Sequence, residues 1–484
     1  MDRRESHRRR LTTTVVTALA AALVALVATA PTSGAAFRST GAATSAAFAA
    51  RASFGLMQTA PCFSRDGSGG CTAAIGVTQG EHVAVSPDGA HVYTASKALS
   101  AVAAFTREPA GGALTQLASP NACVTNGSIT GCTTVVGLGG GVFDLAVSPD
   151  GKHVYATGYT SDAVAAFSRH PTTGVLTQLA APNRCVTSGS ITGCSAAVGL
   201  NGANGITISP DGAHVYVASY DASSLAVFAR DATTGALTQL AGTAGCVTDT
   251  SAPISGCATA RGLRNPYFLH ATLDGTGVYV AGYGSNAISA FVRNPGTGAV
   301  TQPAAPNACV YNSASTAIAG CTAATGLLGT YHVQVAADGT TVYAAGYDGN
   351  TLAAFGRDPA TGVLTAIGCH YNSGSTAVAG CTSTLALAAP TGVAVSPDGR
   401  SVFVSAFTSG AVAMFRRDPG TGLLTQRPGT DGCIAAAVAG CTTGSGLSQP
   451  LGLTASHDGR DVYVVGGNYS GQGAGWVTAL NVNH

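Results

Sequence analysis

Fourteen cysteines fall as seven close pairs, and the pairs recur about every sixty residues. They are Cys62/Cys71, Cys123/Cys132, Cys185/Cys194, Cys246/Cys257, Cys309/Cys321, Cys369/Cys381 and Cys433/Cys441. A fixed period of this length is the signature of a repeat architecture. A second marker keeps the same beat. Asp-Gly stands at 88, 150, 211, 274, 338, 398 and 458, in steps of 60 to 64 residues. Four copies read Ser-Pro-Asp-Gly, as in Ser86-Pro87-Asp88-Gly89. Proline sets the first turn dihedral, aspartate bonds its own backbone, and glycine takes the left-handed position.

Short runs of strand-forming residues flank each turn. Val83-Ala84-Val85 precedes the first and Val92-Tyr93-Thr94 follows it. An alternating run, Ala101–Phe105, and a fourth, Leu114–Leu117, complete the unit. Each repeat therefore predicts four antiparallel strands. Seven such sheets arranged radially give an all-β fold, a seven-bladed β-propeller over residues 54–484. The seventh repeat ends at Trp476–Val482 without a fourth strand, while Leu56-Met57-Gln58-Thr59 resembles the missing one. The N-terminal strand is thus expected to complete the last blade. The link from strand four to the next strand one, such as 119–141, is long for a structureless loop. It holds the cysteines, whose spacing favours one disulfide per loop over zinc ligation.

The N-terminus predicts export. Residues 2–10 are basic and Val15–Ala30 is apolar, so 1–30 reads as a signal peptide and 31–53 as an Ala/Ser/Thr-rich tether. Losing 1–30 moves the formal charge from +1 to −2, since five Arg, one Asp and one Glu go with it. No basic field remains for nucleic acid. No membrane span is expected after cleavage. The expected location is secreted or cell-surface, in a bacterium by composition, and the expected state is a monomer.

The motifs Val215–Ser219, Val227-Phe228-Ala229-Arg230-Asp231 and Thr234–Leu240 resemble the seven-bladed lactonase-like propellers of the 6-phosphogluconolactonase and carboxymuconate-cyclase type. The resemblance covers roughly 54–484 and implies the propeller fold. For members with lactone chemistry it further implies a Pro-His pair opening an inner strand, with acidic and Arg residues at the mouth. The corresponding pairs here are Pro266-Tyr267, Pro390-Thr391 and Pro450-Leu451. None has the histidine. Beyond the leader only Glu81 and Glu108 remain as glutamates.

Counting back six and seven residues from each Asp-Gly aspartate gives the start of each inner strand at the channel mouth. Glu81, His82, Asp144 and His332 stand there where sister blades have mostly glycine or aromatics. A histidine beside carboxylates suits general-base activation of water. His82, Asp144 and His332 also suit metal ligation. A solvated channel rim is the plainer reading, and no metal or cofactor is expected. Strand two ends in Tyr159, Tyr220, Tyr283, Tyr347 and Phe407 in five of seven blades. Stiff aromatic rings offer contact area for a glycan, a small ligand or an extracellular protein. Arg107, Arg169, Arg230, Arg293, Arg357 and Arg417 recur at the end of strand three and are expected to be structural pairs on the opposite surface. His91, His153 and His214 read as scaffold.

Two functions follow. The first is an extracellular binding module that displays seven stapled loops on one face, supported by a charged fraction of only 9%. The alternative is a lactone hydrolase using Glu81, His82, Asp144 and His332.

Overall fold

The hydrogen bonds of seven Asp-Gly turns set the frame. The Gly89 N–H donates to the Ser86 carbonyl at 2.7 Å, Gly89 has φ +68°, and the Ala90 N–H donates to the Asp88 carboxylate. Each such turn joins an inner strand to a second strand. In the first blade these are Gly80–Val85 and His91–Ser96, followed by Ala101–Arg107. In the computed structural model, which describes residues 55–467 and 475–482, seven such sheets make the predicted propeller. The signal peptide expected over 1–30 and the tether expected over 31–53 lie outside the described residues. Among the described residues no helix is long and apolar enough to cross a membrane.

Strand four differs in detail from the sequence expectation. In the first blade it comes as two pieces, Leu114–Gln116 and Cys123–Thr125, docked on the two ends of Ala101–Arg107. Blade five instead has one continuous strand, Leu364–Asn372. Leu114 and Cys123 are nine positions apart and Leu364 and Cys369 only five, so blade five lacks the residues that bow outward elsewhere.

All seven cysteine pairs are bonded within their own loops, with Cα–Cα distances of 4.5 to 4.8 Å. Cys62 joins Cys71, Cys123 joins Cys132, Cys185 joins Cys194, and Cys246 joins Cys257. Cys309 joins Cys321, Cys369 joins Cys381, and Cys433 joins Cys441. The two halves of each bridge differ in setting. The first cysteine is buried on the blade, whereas Cys71, Cys132, Cys194, Cys257, Cys321, Cys381 and Cys441 are half-buried at the blade's outer edge.

The loops do not stand over the channel, and no cysteine lines either chamber described below. Each loop adds a short outermost strand to its blade. Cys132–Thr134 runs parallel to Cys123–Thr125, with Cys123 directly opposite Cys132. Cys194, Cys257, Cys321, Cys381 and Cys441 each stand one residue before the equivalent strand, which opens at Ser195, Ala258, Thr322, Thr382 and Thr442. Each loop lies against the edge of its blade in the same way, and its backbone groups find partners in the sheet. The cysteines are staples of the scaffold.

The ring closes as the sequence predicts. Leu56 pairs with Val482 and Phe63 with Val477, so the N-terminal segment supplies both pieces of the seventh blade's fourth strand. It also brings the Cys62–Cys71 bridge, which therefore belongs to blade seven in space.

The repeated arginines are buried pins between blades, not surface pairs. Arg169 bonds both oxygens of Asp88 at 2.9 and 2.7 Å, the Tyr93 hydroxyl at 3.2 Å and the Gly151 carbonyl at 2.9 Å. Tyr93 in turn donates to the Gly174 carbonyl. The His91 ring lies 2.7 Å from the same arginine, which fits its scaffold reading. Arg230, Arg293, Arg357 and Arg417 repeat the bond to the tyrosine of the preceding blade, and Arg107 carries it across the closure to Tyr463 and Asp458. A buried guanidinium needs such partners to offset its desolvation.

Candidate functional site

The inner strands surround a channel, and adjacent residues of each strand face different parts of it. Successive side chains of a strand point apart. A register irregularity near the start of most inner strands, such as between Gly80 and Val83, adjusts their aim. Two chambers result. An upper one, of about 330 Å³, is lined by Glu81, Phe143, Tyr267, Tyr331 and Leu451, with residues that end strand two above them. A lower one, of about 300 Å³, is lined by His82, Asp144, Phe268, His332, His270 and Gln334, and extends to Pro149 in an Asp-Gly turn. The four polar residues expected at one rim are thus divided, with Glu81 in the upper chamber and the other three in the lower.

Glycine decides why so few side chains share the lower ring. A Cβ on Gly205 would lie 2.4 Å from the Tyr267 carbonyl, and one on Gly452 would lie 2.4 Å from the Glu81 carbonyl. Gly392 is similarly crowded by Leu451. Neighbouring inner strands converge too closely there for any side chain. The other four places hold His82, Asp144, Phe268 and His332.

Asp144 is buried and held by its own strand and the next. Its carboxylate accepts the Leu145 N–H at 2.7 Å and the Ile206 N–H at 2.8 Å. His82 Nδ1 approaches it at 2.8 Å. The oxygen lies off the direction of the ring N–H, so this is a charge contact and not an aligned hydrogen bond. Burial opposes protonation of His82, but the Asp144 charge prevails and raises the imidazole above its usual value.

His332 is pushed the opposite way. Burial comes first, then the His82 and His270 charges, and together they hold it well below the usual histidine range. Its Nδ1 is buried without a hydrogen-bond partner. The Phe268 ring lies between the two imidazoles, with centroids 5.7 Å from His82 and 5.2 Å from His332. Deeper in, the Gln334 amide nitrogen meets His270 Nε2 at 3.0 Å. An amide nitrogen only donates, so Nε2 accepts and the proton sits on Nδ1. Burial lowers His270 to about 4, which keeps it neutral.

The upper chamber is aromatic. Tyr267 and Tyr331 stack at 4.3 Å, and Tyr220 and Tyr283 meet Tyr267 edge-on at 5.0 and 5.4 Å. Tyr347 and Phe407 continue the wall. Of the five predicted binding aromatics, Tyr159 stands outside the lining. Its hydroxyl donates to Asp221 at 3.1 Å and its ring abuts Phe143. Glu81 is buried, with Lys97 Nζ 3.8 Å away and 4.8 Å above the Phe143 ring centre. Sequence reasoning did not assign Phe143, Tyr267, Phe268 or Tyr331 to a site. Their signal was their count from the Asp-Gly turn, which they share with Glu81 and His82.

Among the described residues no group of three or more His, Cys, Asp or Glu is placed to hold a metal ion. The metal reading of His82, Asp144 and His332 therefore gains no support from their arrangement.

No curated protein matches the chain. Among solved structures it resembles hydrazine synthase of Kuenenia stuttgartiensis, at 15% identity over 85% of this chain and 98% of that one, with a TM-score of 0.50. It also resembles the periplasmic gluconolactonase PpgL of Pseudomonas aeruginosa, at 18% identity over 71% and 83%, with a TM-score of 0.49. At such identities the likeness concerns the fold. The sequence model of the lactonase seven-bladed β-propeller family matches residues 187–311 and 315–432, half of the chain, in agreement with the seven sheets around the channel. The chain belongs to the lactonase, seven-bladed β-propeller, family.

Proposed function

We propose that this protein hydrolyses a lactone in the lower chamber. One observation carries the reading: His82 and His332 flank one cavity with opposed protonation preferences. Environments that push two titratable groups apart assign an acid and a base. Neutral His332 takes a proton from water as the oxygen attacks the lactone carbonyl. Protonated His82, held by Asp144, keeps its proton and donates a hydrogen bond to the carbonyl oxygen as negative charge develops there. The ring C–O bond then breaks, the alkoxide recovers the proton from His332, and a hydroxy acid leaves.

Family membership supports this reading over the binding module that the sequence alone favoured. That preference rested on the scarcity of glutamate and the missing Pro-His pair. Here imidazoles supply the acid and base from other positions on the inner strands. We also place the protein outside the cytoplasm, as a monomer. Seven disulfides are compatible with an extracellular or periplasmic compartment.

The test is hydrolysis of a panel of sugar-acid and muconate-type lactones, followed by acid release. The expected result is turnover that falls about 10²–10⁴-fold in His332→Ala and in His82→Ala. A correctly folded protein with no turnover on the panel, or full activity in both variants, would refute it.

A further inference from the structure

The upper chamber contains an amine already. Lys97 places its ammonium 4.8 Å above the centre of the Phe143 ring and 3.8 Å from the Glu81 carboxylate. Glu81 is only 2% exposed, whereas the Lys97 side chain is 41% exposed. A buried carboxylate requires a cation, and an ammonium group brought by a ligand can meet that need in place of the half-exposed lysine. The chamber that Glu81 lines is walled by aromatic rings: Phe143, Tyr267, Tyr331 and, above them, Tyr220, Tyr283 and Tyr347.

We propose that the upper chamber is a binding site for an organic cation, an ammonium or quaternary ammonium group, which takes the position that Lys97 occupies in this structure. Aromatic faces attract such cations through their negative quadrupole, most strongly where water is excluded. The chamber supplies these faces on several sides and one buried anion at the base. Burial and then the Glu81 charge hold the Tyr331 hydroxyl well above its usual value. The volume, about 330 Å³, is within the range of small-ligand sites. This site is distinct from the lower chamber. Tyr267 and Tyr331 stack between blades four and five, and Phe268, 5.7 Å from Tyr331, faces the chamber below.

Lys97 as internal competitor gives the test its sign. Full-length folded protein is titrated with tetramethylammonium, methyl glucoside and gluconate at constant ionic strength, with binding read by calorimetry and by the tyrosine signals in NMR. Tetramethylammonium is expected to bind saturably, at least tenfold more weakly in Glu81→Gln, and several-fold more tightly in Lys97→Met. His332→Ala should leave this binding unchanged, so the site is tested independently of the hydrolase reading. Absence of saturable tetramethylammonium binding in both the parent and Lys97→Met overturns the proposal. So does tighter binding of methyl glucoside or gluconate, or loss of tetramethylammonium binding in Lys97→Met; gluconate binding that disappears in Lys97→Met would make Lys97 a contact for an anion. If Glu81→Gln fails to fold, the Lys97→Met comparison decides alone, since that side chain is largely outside the core.

Discussion

Phe403 and Val482 meet in one apolar cluster between blades six and seven, in the two places where the other six seams have a buried tyrosine and its arginine. Phe403 starts two residues into its strand as Tyr93 does, and Val482 faces Leu56 as Arg417 faces Leu424. The two replacements belong together. An arginine without the hydroxyl would keep a buried Nε without a partner, and a tyrosine without the arginine would lose one of its two bonds. A hydrophobic pair of similar place avoids both costs.

The seam between blades one and two should reproduce this coupling. Tyr93→Phe leaves the Gly174 carbonyl and the Arg169 Nε unbonded, and is expected to lose about 1–3 kcal/mol. Arg169→Val should lose at least as much. The double variant should lose less than the sum, by about 0.5–3 kcal/mol, in a denaturation double-mutant cycle. Strict additivity would show that the two residues act independently.

Acid should weaken the fold in two stages. His91, His153 and His214 are held below their usual value by burial and by the neighbouring arginine, so the unfolded chain binds their protons first. Stability therefore declines as pH falls below about 6.5, the unfolded histidine value. Burial raises Asp88, Asp150 and Asp211, but hydrogen bonds from serine, backbone and arginine outweigh it and leave each at about 2. Their contribution is full above about 4, the unfolded carboxyl value, and is lost as pH falls towards 2. Melting temperature against pH, from 8 to 2, checks both stages.

The closure of the ring is testable at one side chain. Leu56 is buried against Leu480 and Val482, while neighbouring Met57 is 39% exposed. Leu56→Ala should cost about 2–5 kcal/mol by the cavity it leaves. Met57→Ala should cost much less. Equal melting temperatures for the two variants would rule out the N-terminal strand as part of the seventh blade.

Hydrolysis should follow a pH profile set by opposed histidines. The proposed mechanism needs His82 protonated, so the rate falls as pH rises through its value above 6.5. It needs His332 neutral, so the acid limb lies well below 6.5. Asp144→Asn removes the charge that raises His82 and should move the alkaline limb to lower pH. An unmoved limb would separate Asp144 from the reaction.

Much of this fold can be read locally. The Asp-Gly turn and the cysteine pair are set by neighbours in sequence, so their recurrence predicts blade count and bridge pairing. Even the continuous strand of blade five is implied by the short Leu364–Cys369 spacing. The site was less legible. Glu81 and His82 are adjacent in sequence, yet their side chains enter different chambers because a strand alternates its faces. The arginine pins were hidden for a different reason. Arg169 meets Asp88 and Tyr93 across a blade boundary about eighty positions away, where no local pattern joins them. One signal was present. Phe403 breaks the column of tyrosines in the sixth repeat and Val482 breaks the column of arginines in the seventh, and that paired loss in adjacent repeats marks a contact.

The stapled outer strands bear on how the molecule meets its own copies. A blade's last strand is an open edge, with N–H and C=O groups ready to pair with another chain, and this molecule has seven of them. Here each edge is only two or three residues long and turns away at a disulfide. No long template survives for strand addition. A chain with 46% hydrophobic residues and few charges has little electrostatic repulsion to keep copies apart. The cysteine loops, besides tightening each blade, leave those copies no long strand edge to pair with.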